Sequence, residues 1–356
     1  MLNKFVIGQP YIEITSTCNL KCTYCYNDSG INKVTHMNID MFRGILDEVV
    51  ENSVKKIVIS GGEPFMHPQI NDFLELTFSK KLLPIIITNA TIVTRENMEV
   101  IRKQPCIIQL TFDDYNEENH DLYRGKDTFY KNICLIQQLK KDPEFIGKIH
   151  IRVHLRKSTI NRAHQMIQYF NNLPIDILSF ATIKDMGRAN QKDFKDIDTT
   201  AIINMSKHIE RHITEYIRKP IMGGVVCGLQ ERCPYVLKEG ITFSPRIASN
   251  GSVYPCQLCV DDLFLLGNMQ YQSLIDIAYG LKMSNFLGLV QERIYKLENC
   301  KSCKIKQWCG RGCLAKTWLE YKDIFMTDGS CQIKKFHYKE YLRSCATSYR
   351  QSPNAN

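Results

Sequence analysis

Short apolar runs alternate with amphipathic stretches along the first half of the chain. The apolar runs have the length and composition of β-strands, and they are Tyr11–Thr15, Lys56–Ser60, Leu83–Thr88, Ile107–Phe112, Lys148–Leu155 and Ile175–Ala181. Between them, apolar residues recur at helical spacing over Asp40–Asn52, Gln69–Lys80, Glu96–Lys103, Asn119–Lys140 and Ile160–Asn171. This alternation predicts an α/β fold with a parallel sheet, whose functional residues gather at the carboxyl ends of the strands.

The alternation stops near residue 185. Lys184–Asp198 is polar and predicts a linker, and Ala201–Arg218 predicts one amphipathic helix. From Cys227 onward the chain has ten cysteines in 119 residues and few long periodic runs. We therefore expect an α/β domain with a parallel sheet over residues 1–200, a linker helix over 201–226, a loop-rich, cysteine-rich domain over 227–345 and a disordered tail over 346–356.

Composition narrows the class of protein. The chain has 356 residues, 44% of them hydrophobic and 23% charged, which is typical of a globular protein. It has no apolar run of membrane-spanning length and no signal peptide, so we expect a cytoplasmic protein with no membrane partner. In that reducing compartment, the 15 cysteines indicate metal binding before disulfides.

The net charge of +9 has two interpretations. It fits an ordinary solvated basic surface, and it also fits attraction for an acidic partner such as a small electron carrier. The Lys and Arg residues are spread along the chain and form no stripe, so we expect no nucleic-acid partner.

The first cysteine cluster directly follows the first predicted strand. Cys18, Cys22 and Cys25 have the spacing C-x3-C-x2-C. A zinc site would need a fourth ligand. Three thiolates on one loop can instead hold three irons of a [4Fe–4S] cluster and leave the fourth iron open to an exogenous ligand.

This motif, with Tyr24 before the last cysteine, resembles the signature of the radical S-adenosylmethionine (SAM) enzymes. The resemblance implies that residues 1–200 form a partial (β/α)6 barrel, and that the open iron chelates the amino and carboxylate groups of SAM. It also implies that an electron from the cluster cleaves SAM to a 5′-deoxyadenosyl radical, which removes a hydrogen atom from the substrate.

Segments at other strand ends resemble SAM-binding elements of the same family, although each also fits an ordinary turn or surface segment. The resemblance assigns SAM contacts to Tyr24, Gly61, Gly62, Glu63, Pro64, Asn89, Thr111, Asp113, Arg124 and Arg156. Glycines let the backbone approach a ligand closely, and an arginine can pair with a carboxylate. Ala90 and Asp114 stand where the family usually has glycine, and Gly187–Ala189 resembles an element near the barrel exit.

The second cysteine cluster resembles the SPASM extension of radical SAM enzymes, which holds two auxiliary [4Fe–4S] clusters. The resemblance assigns four cysteines to each cluster: Cys227, Cys233, Cys256 and Cys313 to the first, and Cys300, Cys303, Cys309 and Cys331 to the second. The expected cofactors are therefore three [4Fe–4S] clusters and SAM. A pair of zinc ribbons is the alternative interpretation.

Four cysteines lie outside these assignments. The apolar neighbours of Cys106 and Cys134 predict that both thiols are buried in the core, and Cys345 lies in the expected tail. The long gap between Cys233 and Cys256 makes Cys259 an alternative to Cys227 as a ligand. Cys259 can also be a bystander thiol, or a catalytic hydrogen-atom donor that quenches a substrate radical.

The specific reaction remains open between family members. Sulfatase maturases carry an aspartate base after the cysteine that corresponds to Cys256, and this chain has Gln257, which cannot accept a proton. We therefore favour a maturase that cross-links a ribosomally made peptide, through a thioether or carbon–carbon bond, or epimerises one of its residues. The alternatives are a sulfatase-maturating enzyme and a non-enzymatic iron–sulfur or zinc protein.

The expected partners follow from this interpretation. They are a peptide substrate and a flavodoxin- or ferredoxin-type electron donor. Only about ten residues precede the first predicted strand, so leader binding must come from a separate recognition protein or from the surface of the chain.

Overall fold

The computed structural model describes residues 5–183, 186–189, 198–212, 214, 216–217, 221–222, 233–237 and 240–350. Most of the expected linker and Cys227 lie outside the described residues. The helix predicted over Ala201–Arg218 is too long, because the helix in the structure ends at Arg211 and the described residues Tyr216 and Ile217 are not helical. The limits placed at residues 200 and 227 stay predictions.

The secondary structure comprises short and long elements in an α/β order. The strands are β1 (Phe5–Ile7), β2 (Tyr11–Thr15), β3 (Lys56–Gly61), β4 (Leu83–Thr88), β5 (Ile107–Phe112), β6 (Lys148–Leu155), β7 (Ile177–Thr182), β8 (Ile221–Met222), β9 (Ile241–Phe243), β10 (Arg246–Ile247), β11 (Ser252–Tyr254) and β12 (Gly267–Asn268). The helices are α1 (Ile39–Glu51), α2 (Ile70–Ser79), α3 (Arg95–Ile101), α4 (Glu117–Arg124), α5 (Thr128–Lys141), α6 (Ala163–Asn171), α7 (Thr199–Arg211), α8 (Leu274–Tyr279), α9 (Leu281–Lys296), α10 (Glu298–Lys301), α11 (Lys306–Cys309), α12 (Leu314–Tyr321) and α13 (Cys331–Arg350).

The predicted parallel sheet is confirmed. Strands β2 to β7 match the six predicted strands to within two residues, and neighbouring members pair in parallel. The sheet is open and larger than predicted, because β8 extends it beyond β7 and the β10–β11–β12 hairpins extend it beyond β2. A separate parallel pair joins β1 to β9.

The sheet curves into a partial barrel. The Tyr24 hydroxyl, in the loop after β2, donates a 2.5 Å hydrogen bond to Asp113, which follows β5 three strands away. In a flat sheet, strands three places apart lie about 14 Å from each other. The loop after β2 carries Tyr24 across part of this distance, and the curvature of the sheet accounts for the rest.

The two faces of the sheet differ in chemistry. Alternate strand residues such as Ile12, Ile59 and Ile151 are fully buried against helix side chains such as Phe42 and Phe73. The other face, here called the inner face, is polar on several strands, where Tyr11 donates to Ser60 Oγ and His150 hydrogen-bonds Ser179 Oγ. The core thus lies between sheet and helices, and the inner face is left for chemistry.

The helix predicted over Asn119–Lys140 is wrong as a single element, because the structure has two helices, α4 and α5. Gly125 ends α4 with φ 118° and Asp127 precedes α5 with φ 64°, and neither value is helical. The carboxylate of Asp121 accepts hydrogen bonds from the Asp127 N–H, the Thr128 hydroxyl and the Phe129 N–H. This local capping stabilises the break.

The chain's last described segment is helical. Helix α13 continues to Arg350, past residue 346 where the sequence predicts a disordered tail, and residues 351–356 lie outside the described part. Helices, among them the 16-residue α9, also occupy much of the region expected to be rich in loops. Within the ranges that the structure describes, every helix is too short or too polar to cross a membrane.

Candidate active site and cysteine clusters

The first three cysteines lie on one compact loop after β2. The Cys18 sulfur accepts hydrogen bonds from the Leu20 N–H at 3.4 Å and from Asn89 Nδ2 at 3.9 Å. The Cys25 N–H donates to the Cys22 carbonyl, which closes the second turn of the loop. Burial, with smaller contributions from the Glu63 carboxylate and then from the nearby thiols of Cys22 and Cys25, raises the pKa of Cys18 to about 12. The loop therefore brings three thiols together at a strand end.

Gly61 and Gly62 let the end of β3 pack directly on the entrance to this loop. A Cβ at Gly61, where φ is 136°, would lie 2.1 Å from the Thr15 carbonyl oxygen. One at Gly62 would lie 2.1 Å from the Thr17 carbonyl oxygen. Only glycine allows this approach, so both residues are needed to position the loop.

The carboxylate of Glu63 joins the ends of β3 and β4. Its oxygens accept hydrogen bonds from the Thr88 hydroxyl at 2.7 Å, the Asn89 N–H at 2.7 Å and the Phe65 N–H at 3.2 Å. Burial raises its pKa to about 7. Pro64 then starts a 3-10 turn that ends the segment. Glu63 thus fixes Asn89 beside the Cys18 sulfur.

The Gly187–Ala189 segment, which follows β7, packs against the first cysteine loop at Cys25. A Cβ at Gly187 would lie 2.3 Å from the Cys25 carbonyl oxygen, and the Arg188 N–H donates to that oxygen at 3.0 Å. The Arg188 side chain donates to the Cys22 carbonyl at 2.9 Å and to Asp28 at 2.8 Å. Sequence analysis named this element, and the structure supplies its contact with the loop.

A buried polar network connects the loop to the ends of β5 and β6. Arg124 donates to the Tyr24 hydroxyl at 2.7 Å, and Arg156 donates to the Asp113 carbonyl at 3.0 Å. The Arg156 guanidinium also lies 3.4 Å from the centre of the Tyr123 ring. Burial raises the pKa of Asp113, although Arg124 and Arg156 oppose the shift.

Several buried atoms of this network have no hydrogen-bond partner among the described residues. They are Asp113 Oδ1, Arg124 Nε, His154 Nδ1, and Nε and Nη1 of Arg156. An unsatisfied buried polar atom costs free energy, so such a group indicates a site for a polar ligand. A carboxylate and a ribose, as SAM carries, match these donors and acceptors. Thr111, which lies on the inner face of β5 two residues before Asp113, is also buried.

Sequence analysis missed the polar residues of the inner face. On β6, His150, Arg152 and His154 alternate with apolar residues that pack against the helices. Burial lowers the pKa of His150 to about 4 and lowers the pKa of His154 well below its usual value. The signal was available, because a strand whose alternate residues are polar and basic has one face that is not core.

A second missed feature is a buried ion pair on the inner face. Both oxygens of Glu13 accept from the Arg246 guanidinium at 2.8 Å, and the Tyr26 hydroxyl donates to Glu13 at 2.6 Å. Arg246 also lies 5.0 Å from the centre of the Tyr254 ring. This network runs from the residue after Cys25 to a residue two positions before Cys256.

Four cysteines of the C-terminal half line one cavity of about 30 Å³, and they are Cys233, Cys256, Cys259 and Cys313. The cavity is larger than one water molecule needs. Arg293 also lines it. The resemblance placed three of these cysteines together, and the structure adds Cys259; the fourth member of the resemblance, Cys227, lies outside the described residues.

The second auxiliary set also lies close together. Burial raises the pKa of Cys300, and the thiols of Cys331, Cys309 and Cys303 are close enough to raise it further. Elsewhere, Cys106 is buried and Cys134 is half-buried, and the side chain of Cys345 lies outside the described part. Among the residues described, no three or more His, Cys, Asp or Glu side chains are arranged around a single metal ion.

Comparison with known protein families decides the identity of the chain. The sequence model of the radical SAM superfamily matches residues 12–180, and that of SPASM, an iron–sulfur cluster-binding domain, matches residues 240–304. The chain belongs to the radical SAM superfamily. Its radical SAM domain binds a [4Fe–4S] cluster and SAM, and its SPASM domain binds iron–sulfur clusters.

The names of individual relatives of this radical SAM protein refer to bacteriocin biosynthesis, sulfatase maturation or a precursor peptide. The subtilosin biosynthesis protein AlbA of Bacillus subtilis is 27% identical over 85% of this chain, which spans 66% of that relative's length. A cysteine-type anaerobic sulfatase-maturating enzyme of Clostridium perfringens is 24% identical over 84% of this chain and 86% of its own length. The structure of Streptococcus suis SuiB bound to precursor peptide SuiA has a TM-score of 0.75 and 19% identity, and the match covers 92% of this chain and 76% of SuiB.

Proposed function

We propose that this chain is a radical SAM maturase of a ribosomally made peptide, which it cross-links through a thioether or carbon–carbon bond or epimerises. One observation carries the proposal: a polar inner face lies between two cysteine sites. Strands β2 and β11 run antiparallel on either side of β10, and the first cysteine loop follows β2 whereas Cys256 follows β11. The two sites therefore lie toward opposite ends of the strands, on either side of the polar inner face.

The chain's own residues would hold the reactants where the inner face meets the carboxyl ends of β2 to β6. A [4Fe–4S] cluster on Cys18, Cys22 and Cys25 supplies, with bound SAM, a radical that removes hydrogen atoms. Arg124 and Arg156 have free donors that suit the SAM carboxylate. Asn89 donates to the Cys18 sulfur and the Tyr24 hydroxyl accepts from Arg124, and the backbone of Gly61 and Gly62 suits the SAM ammonium.

The relatives support a peptide as substrate. AlbA is named for the biosynthesis of a bacteriocin, and SuiB is described with its precursor peptide bound. A substrate that threads between two redox sites must be narrow and extended, as a peptide is. The inner face carries polar side chains that can bind backbone amides, such as the partly exposed His150 and Arg152 of β6.

A sulfatase maturase is the second candidate, because one relative carries that name. Oxidation to formylglycine needs a base beside the substrate. Gln257 follows Cys256 where a sulfatase maturase is expected to have that base, and its side chain is an amide exposed to solvent. This residue favours the peptide maturase.

Partners and location complete the proposal. The net charge of +9 suits an acidic electron donor of the flavodoxin or ferredoxin type. A separate leader-recognition protein would present the peptide. Oxygen-sensitive clusters and reduced thiols suit the cytoplasm.

The test compares two peptides under anaerobic conditions. The reconstituted protein is given SAM, dithionite and either a short peptide encoded beside this chain or a sulfatase peptide bearing a C/S-x-P-x-R motif. We expect 5′-deoxyadenosine with both, and modification of the neighbouring peptide alone: loss of two hydrogens for a cross-link, or deuterium uptake from heavy water for epimerisation. Formylglycine in the sulfatase peptide would overturn the proposal. The Cys18→Ala/Cys22→Ala/Cys25→Ala variant, which should yield no 5′-deoxyadenosine, is the control.

A further inference from the structure

We propose that Arg152, on the inner face of β6, binds a carboxylate of the peptide substrate close to the residue that is modified. The proposal rests on the proposed function, because it takes the substrate to be a peptide. At neutral pH the anionic groups of an unmodified peptide are carboxylates, either of Asp and Glu side chains or of the C-terminus. Arg152 would therefore select which peptide, and which of its residues, meets the radical.

Arg152 is a half-buried cation without a partner. Among the residues that the structure describes, its guanidinium makes no hydrogen bond and no ion pair. Burial lowers the pKa of Arg152, because its surroundings disfavour the charge. Its neighbours in register, Thr111 on β5 and Ser179 on β7, are neutral and cannot balance that charge. A charge removed from water without a counter-charge is costly, so an arginine at this position indicates an anionic ligand.

The carboxylates of Glu13 and Asp113 already have cations of their own. Both oxygens of Glu13 accept from the Arg246 guanidinium at 2.8 Å. Oδ2 of Asp113 lies 4.0 Å from Nη1 of Arg124. Neither carboxylate is left to balance Arg152, whose positive charge is therefore in excess on the inner face.

Gln109 supplies a second unpartnered group near Arg152. Its side chain is 7% exposed and lies opposite His150 in the register of β5 with β6, and in the described part of the chain its amide makes no hydrogen bond. Arg152 also lies within electrostatic reach of Tyr11 on β2, four strands away, so its side chain points across the inside of the partial barrel. A guanidinium and an amide that face the same space can together bind the two oxygens of a carboxylate.

The position of Arg152 along β6 places the bound carboxylate next to the expected SAM site. The ring of His154, two residues further along the strand, lies 5.2 Å from that of Tyr24, and its Nδ1 lies 3.9 Å from Asp113 Oδ1. Two residues of a strand span about 7 Å. An extended peptide covers about 3.3 Å per residue, so we expect the bound carboxylate within about three residues of the position that loses hydrogen.

The experiment measures binding of the peptide encoded beside this chain to the full, reconstituted protein with SAM, by anaerobic calorimetry. The probes are the unchanged peptide, versions in which each Asp or Glu in turn is replaced by Asn or Gln, and a version with an amidated C-terminus. We expect one of these neutral versions to bind wild type about 10- to 100-fold more weakly than the unchanged peptide. The version that loses affinity identifies the source of the carboxylate.

Variants of the protein then assign the effect to Arg152. We expect Arg152→Gln to bind the unchanged peptide about 10- to 100-fold more weakly than wild type, and to bind the disfavoured neutral version as wild type does. Arg152→Lys should fall between the two, because lysine keeps the charge but not the paired donors. Arg43→Gln, which changes an exposed arginine of α1, is the matched control and should bind every version like wild type. Arg152→Gln should keep the wild-type affinity for SAM.

Equal affinity of wild type and Arg152→Gln for the unchanged peptide, or full affinity of every neutral version, would overturn the proposal and leave the proposed function intact. A matching loss of SAM affinity in Arg152→Gln would also overturn it, since Arg152 would then serve SAM. Wild type that binds no version of the peptide would overturn both proposals. If Arg152→Gln does not fold, phenylglyoxal labelling of wild type decides, read by mass spectrometry. The unchanged peptide should protect Arg152 and the disfavoured neutral version should not, and equal protection by both would refute the proposal.

Discussion

The side-chain contacts of Arg188 with the first cysteine loop could not be predicted from the sequence. In the sequence it is one letter of a short motif, whereas in the structure its side chain donates to the Cys22 carbonyl, the Ser29 carbonyl and Asp28. Hydrogen bonds from a charged donor contribute about 1.5–3 kcal/mol. The order of the first cysteine loop therefore depends on a residue that follows β7.

Replacing Arg188 should damage the SAM site alone. We expect Arg188→Ala to weaken SAM binding by about tenfold and to lower iron at the first cluster, because the loop loses three hydrogen bonds. Arg43→Ala is the control, since Arg43 pairs with Asp40 on the exposed surface of α1. SAM affinity can be measured by equilibrium dialysis. Equal losses in both variants would contradict a specific role.

The partly buried imidazole of His150 should make the stability of the protein depend on pH. Burial lowers its pKa in the folded protein to about 4, from about 6.5 in an unfolded chain. The stabilisation from neutral His150 is thus complete above pH 6.5 and is lost as the pH falls toward 4. We expect the unfolding free energy of wild type, relative to His150→Gln, to decrease by up to about 3 kcal/mol across this window. Urea unfolding at a series of pH values would show it, and a constant difference would contradict it.

At the scale of elements, the sequence predicts most of what local patterns decide. The six central strands follow from their apolar runs, and the cysteine loop follows from its spacing. The break between α4 and α5 was missed because apolar residues keep helical spacing across it, while the decisive signals were one glycine and the capping carboxylate of Asp121. The Glu13–Arg246 pair was missed for another reason: its members are 233 positions apart, and only the pairing of β10 with β2 brings them together.

Glycines at two kinds of position should respond oppositely to alanine. Gly125 has φ 118° and ψ 157°, a conformation that side chains other than glycine rarely adopt, so Gly125→Ala should destabilise the protein by about 1–3 kcal/mol. Gly288 is exposed inside α9 with open space at its Cβ, so Gly288→Ala should stabilise it by about 0.5–1 kcal/mol. Denaturant unfolding measures both, and a stabilising Gly125→Ala would refute the strain at the break.

At the scale of the molecule, Arg293 connects the two auxiliary cysteine sets. Its guanidinium donates to the carbonyls of Ile324, Arg311 and Met326 and lines the first cavity. It also lies within electrostatic reach of Cys300 in the second set. A buried positive charge favours the more negative, reduced form of a nearby cluster.

Removing this charge should make both auxiliary clusters harder to reduce. We expect Arg293→Gln to shift their midpoint potentials to more negative values, Arg293→Lys to stay near wild type, and the SAM-binding cluster to change in neither. Redox titration followed by electron paramagnetic resonance separates the three clusters. Equal shifts in the Lys and Gln variants would indicate a purely structural role.

The short strand β10 has a consequence for how the two halves of the chain depend on each other. It covers the free edge of β2, the strand that leads into the first cysteine loop. Without β10, the backbone donors and acceptors on that side of β2 would be unpaired, and such an edge invites pairing with other copies of the chain. The C-terminal half therefore protects the half that cleaves SAM from aggregation. A fragment ending before β9 would expose the unpaired, aggregation-prone edge of β2 next to its most oxygen-sensitive loop.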